Sequence, residues 1–485
     1  MMKLTKYLAG LALMSFIIGA YPVHGQNSSR DSLYFYLTLA AKNNPTLLQR
    51  FSEYQASLEK IPQVGSLPDP DLTVGFFIQP MELVMGKQAA DIKLMQMFPW
   101  FGTLKYAKDE MSLMAKAKYQ SFREAKFQVF FDVQSTWYDL YRLKQDLQYS
   151  EKSLQILKTI ERLALVRYRT ASDLQGGSSS GTGTMSQNQN QMQNAPASSQ
   201  GMQAMQSSQA TASSSGTGNT SAMQGSSMGG TQGGSGLTDL FRIQIEIGNL
   251  ENNIELLKNQ NATAVAKFNS FLNRPMQSPV AIADTLLPDT LGMPLSAVTD
   301  TVLKNNPMLG MLQFERQSLE ARKKMVTRMG YPMVGLGIDY SVINKSNMVV
   351  SADNGKDMIM PMVSLTLPIY RKKYRAMQNE ADILAISTTQ NYAAAANALQ
   401  AEYYQALQLY LDAERRMKLY AEQTVLADKS LEIMVRSYSV AGSSLTDILL
   451  VRQETLDYEL KLAEAVTDFN TAVAWLRRLM ARSEN

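Results

Sequence analysis

Two stretches of about 70 residues, Thr103 to Ser172 and Arg371 to Ala441, contain neither glycine nor proline. Each predicts one continuous helix, and at 1.5 Å per residue such a helix is a rod of about 105 Å. No ordinary globular core needs elements of that length. Each rod is followed by a turn and a shorter returning helix, Leu237 to Arg274 and Ser443 to about Arg482. The first return carries Ile243, Ile247, Leu250, Ile254, Leu257, Asn261, Ala264, Phe268 and Phe271 at alternating spacings of four and three. The second carries Val451, Thr455, Tyr458, Leu462, Ala465, Phe469, Ala472, Leu476 and Leu479 in the same register. That is a coiled-coil seam. The outgoing rod matches it with Leu140, Leu143, Leu147, Leu154 and Leu157, so each rod and its return predict a helical hairpin.

The two hairpins belong to an internal duplication. "AAKNNPTLLQRFSEYQASLEK" (Ala40 to Lys60) parallels "VLKNNPMLGMLQFERQSLEAR" (Val302 to Arg322), each read as a helix that includes the Asn-Asn-Pro. Pro99 pairs with Pro368, and Val166-Arg167 with Val435-Arg436, at a constant offset of 269 residues. "GSGLTDLF" then matches "GSSLTDIL", but Asp239 and Asp447 are only 208 residues apart, so the first copy holds 61 extra residues. The extra segment is rich in Gly, Ser, Gln and Asn and has no charge between Leu174 and Leu237. It cannot bury enough apolar surface to offset its ordering entropy, and is read as a flexible insertion at the tip of the first hairpin.

Composition removes several function classes. A net charge of +4 on 485 residues, spread along the chain, does not suggest a nucleic-acid binder. Lys3 and Lys6 before an apolar run, with Val23 and Gly25 ahead of Gln26, read as a secretory signal over 1–25. Cysteine is absent, and the only histidine, His24, falls inside that signal. The mature chain therefore lacks imidazole bases, thiolate nucleophiles and the usual zinc ligands. No catalytic constellation or phosphate-binding loop is present, so the chain is read as a non-enzyme without a cofactor. After residue 25 no apolar run of about 20 residues marks a transmembrane helix.

Membrane contact is argued from strands instead. In "DLTVGFFIQ", Leu72, Val74, Phe76 and Ile78 oppose Thr73, Gly75, Phe77 and Gln79; in "VGLGIDYSV", Val334, Leu336, Ile338, Tyr340 and Val342 oppose Gly335, Gly337, Asp339 and Ser341. Strands of about ten residues with one apolar face suit an outer-membrane barrel. The partner runs "ADIKLMQMF" and "DMIMPMVSLTL" alternate less cleanly. Phe98, Trp100 and Phe101 in the first copy, and Tyr370 in the second, are candidate membrane-interface aromatics. Aromatic packing in a soluble sheet is the competing reading. Four strands cannot close a membrane barrel, so a lipid-embedded sheet requires an oligomer.

Taken in order, the duplicated Asn-Asn-Pro, Leu67-Pro68 before the first strand, "LPIY" (Leu367 to Tyr370) closing the last, and the paired "LTD" turns resemble the TolC-type outer-membrane efflux channels. The resemblance covers nearly the whole mature chain. It implies a homotrimer with a twelve-stranded β-barrel in outer-membrane lipid and a periplasmic α-helical tunnel. It also implies a periplasmic adaptor protein and an inner-membrane pump as partners. By the same resemblance Thr238, Asp239, Tyr438, Ser443 and Asp447 line the periplasmic entrance. Two positions depart from the family pattern: Ser443 stands where well-known members have a gating arginine, and Leu450 where they have a further acidic residue. Asp239 and Asp447 have a second reading at their helix starts, where a carboxylate stabilises the first turn by about 0.5 to 2 kcal/mol.

The resulting map has a signal at 1–25, a first repeat at 26–274 and a linker at 275–295, followed by a second repeat at 296–485. Within the repeats lie β-hairpins at 70–99 and 332–369 and helical hairpins at 103–274 and 371–482, with the insertion at 174–236. The expected function is a passive export duct, against which stands a trimeric coiled-coil structural or adhesive protein anchored in the outer membrane. Duplication of both strand pairs favours the duct. The insertion holds six methionines, soft ligands suited to copper(I) or silver(I), with Met202 and Met205 as candidate ligands. A plain spacer is the preferred reading of that segment, because low-complexity sequence carries no fixed ligand geometry.

Overall fold

The computed structural model describes residues 29–176, 235–348, 352–439 and 444–482. The expected signal and residues 177–234 of the insertion lie outside them. The described residues are mostly helical with one four-stranded sheet. In chain order they form α1 (Ser29–Asn43), α2 (Pro45–Gly65), β1 (Asp71–Leu83), β2 (Gly86–Phe98), α3 (Thr103–Gly176) and α4 (Ser235–Phe271). The second copy repeats this with α5 (Val298–Asn305), α6 (Pro307–Met329), β3 (Met333–Asn344), β4 (Met358–Thr366), α7 (Arg371–Ser439) and α8 (Leu445–Leu479). Among the described residues no helix is long and apolar enough to cross a membrane.

The Asn-Asn-Pro motifs do not lie within a helix, contrary to the sequence reading. The second asparagine is extended (φ −64°, ψ 122° at Asn44; φ −62°, ψ 126° at Asn306) and breaks the helix in two. The following proline excludes helical geometry at the residue before it and takes the first helical position, where its missing N–H costs nothing. Each asparagine then caps the new helix. Asn44 Oδ1 accepts from the N–H of Thr46 (3.0 Å) and of Leu47 (3.2 Å), and Asn306 Oδ1 accepts from that of Met308 (2.9 Å).

The chain divides into two compact units. The first comprises the described residues of Met1–Ser150, Ile254–Leu431 and Val451–Asn485, and the second those of Glu151–Asn253 and Glu432–Leu450. Two apolar cores in the first unit sit at repeat-equivalent places. One gathers Tyr36, Ala40, Leu47, Trp137, Phe268 and Leu272, and the other Val298, Val302, Leu309, Ala406, Leu476 and Met480. Burial of such side chains, at roughly 1.5–3 kcal/mol each, is what holds a rod against its return helix. Both returns end alike: Asn273 (φ 50°) and Ala481 (φ 52°) are left-handed. The next N–H in each case bonds back to the last turn, Arg274 to the Asn269 carbonyl at 3.3 Å and Arg482 to that of Arg477 at 3.0 Å.

In the second unit the seam residues Ile243 and Leu250 are buried, as are Leu157, Ile160, Tyr438, Leu445 and Ile448. Polar links flank them: Lys158 pairs with Glu251 at 2.8 Å, and Gln244 Nε2 donates to Glu161 at 3.2 Å.

The sheet has the order β1-β2-β3-β4 and every pairing is antiparallel. The central contact, β2 with β3, joins the two copies. A tight turn at residues 84–85 connects β1 to β2. Gly86 has φ 128° there, and a side chain on it would meet the Asn344 carbonyl at 2.4 Å.

Candidate functional site

Register assigns each sheet position to a face. Leu72 pairs with Leu94 and Val74 with Ile92; Leu94 pairs with Ile338 and Ile92 with Tyr340; Ile338 then pairs with Pro361 and Leu336 with Val363. These side chains form one continuous apolar face. It is open to the surroundings, with Phe76 79% exposed and Val363 77%. Ile78 lies beyond the regular β1–β2 pairing, where the register shifts after Phe76, and is wholly exposed. An apolar patch of this kind marks a surface made to contact something other than water.

The opposite face is polar or small: Gly75 against Asp91, Lys93 against Asp339, and Asp91 against Ser341. Lys93 Nζ lies 3.5 Å from Asp339 and 3.7 Å from Asp91. Gln88 Nε2 donates to Ser341 at 3.1 Å. The expected alternation of β1 and β3 is thus present, and "ADIKLMQMF" and "DMIMPMVSLTL" follow it once paired. Within the paired strands their methionines, with Asp91, Lys93, Ser364 and Thr366, fall on the Lys93 face and their Ile, Leu and Val residues on the other, where Gln96, opposite Leu336, is the polar exception.

The expected aromatics gather at the helix-proximal end of the sheet. Phe98 pairs with Val334 at the end of β2, and Phe101 and Tyr370 are 86% and 82% exposed. Trp100 stacks on Tyr331, ring centroids 5.3 Å apart at 13°. Tyr331 was missed by sequence reasoning, although "YP" directly before a strand is the signal that could have found it. Arg328 lies 6.0 Å over the Tyr331 ring and completes the cluster.

The expected entrance residues belong to the second unit. Thr238 and Asp447 are exposed, Asp239 is half-buried and Tyr438 is buried. Ser443, Met202 and Met205 lie outside the described residues. Asp447 does fall in the first turn of α8, but Ser444 caps that helix, its Oγ accepting from the Thr446 N–H at 3.3 Å. Asp239 does not fall in a first turn, because α4 is already helical from Ser235 and its first turn holds no acid. The capping reading of Asp239 is therefore withdrawn. A residue not foreseen links the two "LTD" turns: Arg242 Nη1 donates to Thr446 Oγ1 at 2.8 Å. Among the described residues no group of three His, Cys, Asp or Glu could hold a metal.

No family model matches the chain, and no curated protein matches it. Solved structures do. The outer-membrane channel OprN aligns with a TM-score of 0.68 at 11% identity, over 93% of this chain and 90% of its own. The outer membrane protein VceC from Vibrio cholerae aligns at 0.66 and 11% identity, over 93% and 96%. CusC, described in terms of folding and transmembrane channel formation, aligns at 0.65 and 13% identity, over 93% and 92%. These alignments cover nearly the whole chain, and it has the fold of the TolC-type outer-membrane efflux channels.

Proposed function

We propose that this chain is the outer-membrane channel of a tripartite efflux system, a non-enzymatic duct. In this reading three copies close their sheets into a twelve-stranded barrel in the outer membrane, continuous with a periplasmic helical tunnel. One observation carries it: a four-stranded sheet with an exposed apolar face ends in two unpaired strands, β1 and β4. Neither edge can face lipid without leaving backbone groups unpaired, and four strands are too few to close alone. A neighbour's edge strand satisfies both. A long exposed row on α7, with Ile383, Ile386, Tyr404, Leu411 and Leu426, supports neighbouring copies around the tunnel as well. OprN is itself called an outer-membrane channel and CusC a former of transmembrane channels.

The duct takes its cargo from a periplasmic adaptor and an inner-membrane pump, a reading supported by a sequence that carries no phosphate-binding loop motif. At the entrance, Thr238, Asp239 and Asp447 line the opening, while the buried Tyr438 packs within the second unit. Arg242, bonded to Thr446 beside Asp447, serves as the latch cation that Ser443 does not supply. Such an exposed bond contributes about 1 kcal/mol per chain, weak enough to yield on docking. The cargo in this reading is monovalent copper or silver, supported by the abundance of methionine, 30 residues, in a chain without cysteine.

The test is growth of a deletion strain across copper, silver, zinc, detergents and dyes, complemented by the intact gene or by one lacking 177–234. Sensitivity to copper and silver that the gene reverses is the expected result. Normal tolerance of every agent would sink the efflux reading, and sensitivity to dyes and detergents alone would sink the metal cargo.

A further inference from the structure

Six methionines of the sheet occupy one face. Met95 and Met97 of β2, Met333 of β3, and Met358, Met360 and Met362 of β4 share the face of Lys93 and Asp339. None of the positions paired on the apolar face, from Leu72 through Leu94 and Ile338 to Val363, is methionine. Chance placement would scatter them over both faces. Their sulfurs also converge: a Cβ built on Gly335 would lie 2.6 Å from Met97 Sδ and 3.1 Å from Met95 Sδ, and one on Gly337 would lie 3.1 Å from Met95 Sδ. The two thioethers thus lie down over adjacent glycines, in space that any side chain there would fill. Met362 stands across Gly337 from Met95.

If this face lines a wetted lumen, the hydrophobic effect does not account for these residues. Met gains nothing from water contact that a polar side chain would not exceed. What distinguishes Met there is a soft, polarisable sulfur that is never protonated and never charged, a ligand type that favours monovalent copper or silver over harder ions. Two carboxylates, Asp91 and Asp339, around the single Lys93 leave the same face net negative, which draws cations toward it. The geometry points to a thioether transit site in the barrel, centred on Met95 and Met97 over Gly335 and continued by Met360 and Met362, that binds monovalent soft cations in passage. This inference rests on the channel reading and assigns the metal step to the barrel rather than to the methionines of the tip insertion.

The experiment is planar-bilayer conductance of the purified full-length protein in potassium nitrate, with silver(I) nitrate then added at micromolar concentration. The intact protein is expected to conduct, and silver to block or flicker the current. The block should be lost in Met95→Leu/Met97→Leu and weakened in Met360→Leu/Met362→Leu, two independent near-isosteric variants. It should persist in a chain lacking 177–234. Failure of the intact protein to conduct before silver is added would overturn the channel reading and this site with it. Conductance indifferent to silver, or a block that survives both double variants, would overturn the thioether site alone.

Discussion

The side-chain amide of Asn44 donates a 2.8 Å hydrogen bond to the carbonyl of Phe271, the last residue of α4. Asn306 makes the same bond in the second copy, to the carbonyl of Leu479 at the end of α8, at 3.2 Å. One side chain therefore starts a helix with its oxygen and closes the end of a return helix with its nitrogen, and both asparagines are buried. Asn44→Ala removes both functions and leaves the Phe271 carbonyl short of a partner. A loss of about 2–3 kcal/mol is expected, read as a lower unfolding midpoint. Asn44→Asp keeps the cap but not the donated bond, and should recover only part of that loss. Equal stability of all three proteins would contradict the double role.

Ala481 holds φ 52°, the conformation that glycine adopts without a steric cost. Ala481→Gly is expected to stabilise the chain by about 1 kcal/mol. Thermal unfolding of the two proteins side by side decides it, and a lower midpoint for the glycine variant would contradict the strain.

Asp146 on α3 is buried, and its carboxyl is pushed up to about 6 from an ordinary 3.8, first by burial and then by Glu464, against the opposing pull of Arg142. Arg142 lies 3.5 Å away. The folded chain holds this proton more tightly than the unfolded chain, so this contribution to stability is largest below about pH 4. It falls as pH rises from 3.8 to about 6, and above that is flat. Asp146→Asn should therefore raise stability at neutral pH by about 2 kcal/mol, with the gain shrinking toward pH 4. Melting curves of both proteins at the two pH values test the sign. A gain that grows on acidification would contradict it.

Val363 and Ser364 are adjacent on β4 and face opposite ways: Val363 pairs with Leu336 on the apolar face and Ser364 with Gly335 on the other. Val363→Arg is expected to cost about 2 kcal/mol of membrane-inserted stability, whereas Ser364→Arg should be tolerated there. Recovery of each protein in the outer-membrane fraction reads this directly, and equal recovery would contradict the assignment of faces.

The long helices, their hairpins and the duplicated order were legible because each depends on local pattern. The absence of Gly and Pro over 70 residues, and a four-three apolar spacing, survive without knowledge of any partner. Asn44 was visible as part of a repeat but not as a helix break. Its bond to Phe271 spans the whole hairpin, and no local signal announces a donor that reaches so far. The same limit hid Tyr331, whose ring meets Trp100 only after β2 and β3 pair, and Arg242, whose partner Thr446 lies in the other copy. The methionine face was also concealed. The alternation of "KLMQMF" and "DMIMPM" looked weak in single strands, because Met reads as apolar, and resolved only once pairing with Gly335, Gly337 and Asp339 fixed which way each residue points.

Single-channel conductance of the purified full-length protein, inserted as its native oligomer into a planar bilayer, tests the channel account most directly. The account predicts discrete, stable current steps from a particle with the mass of three chains. A protein that enters the bilayer without conducting, or that is stable in detergent as a single chain, would contradict it.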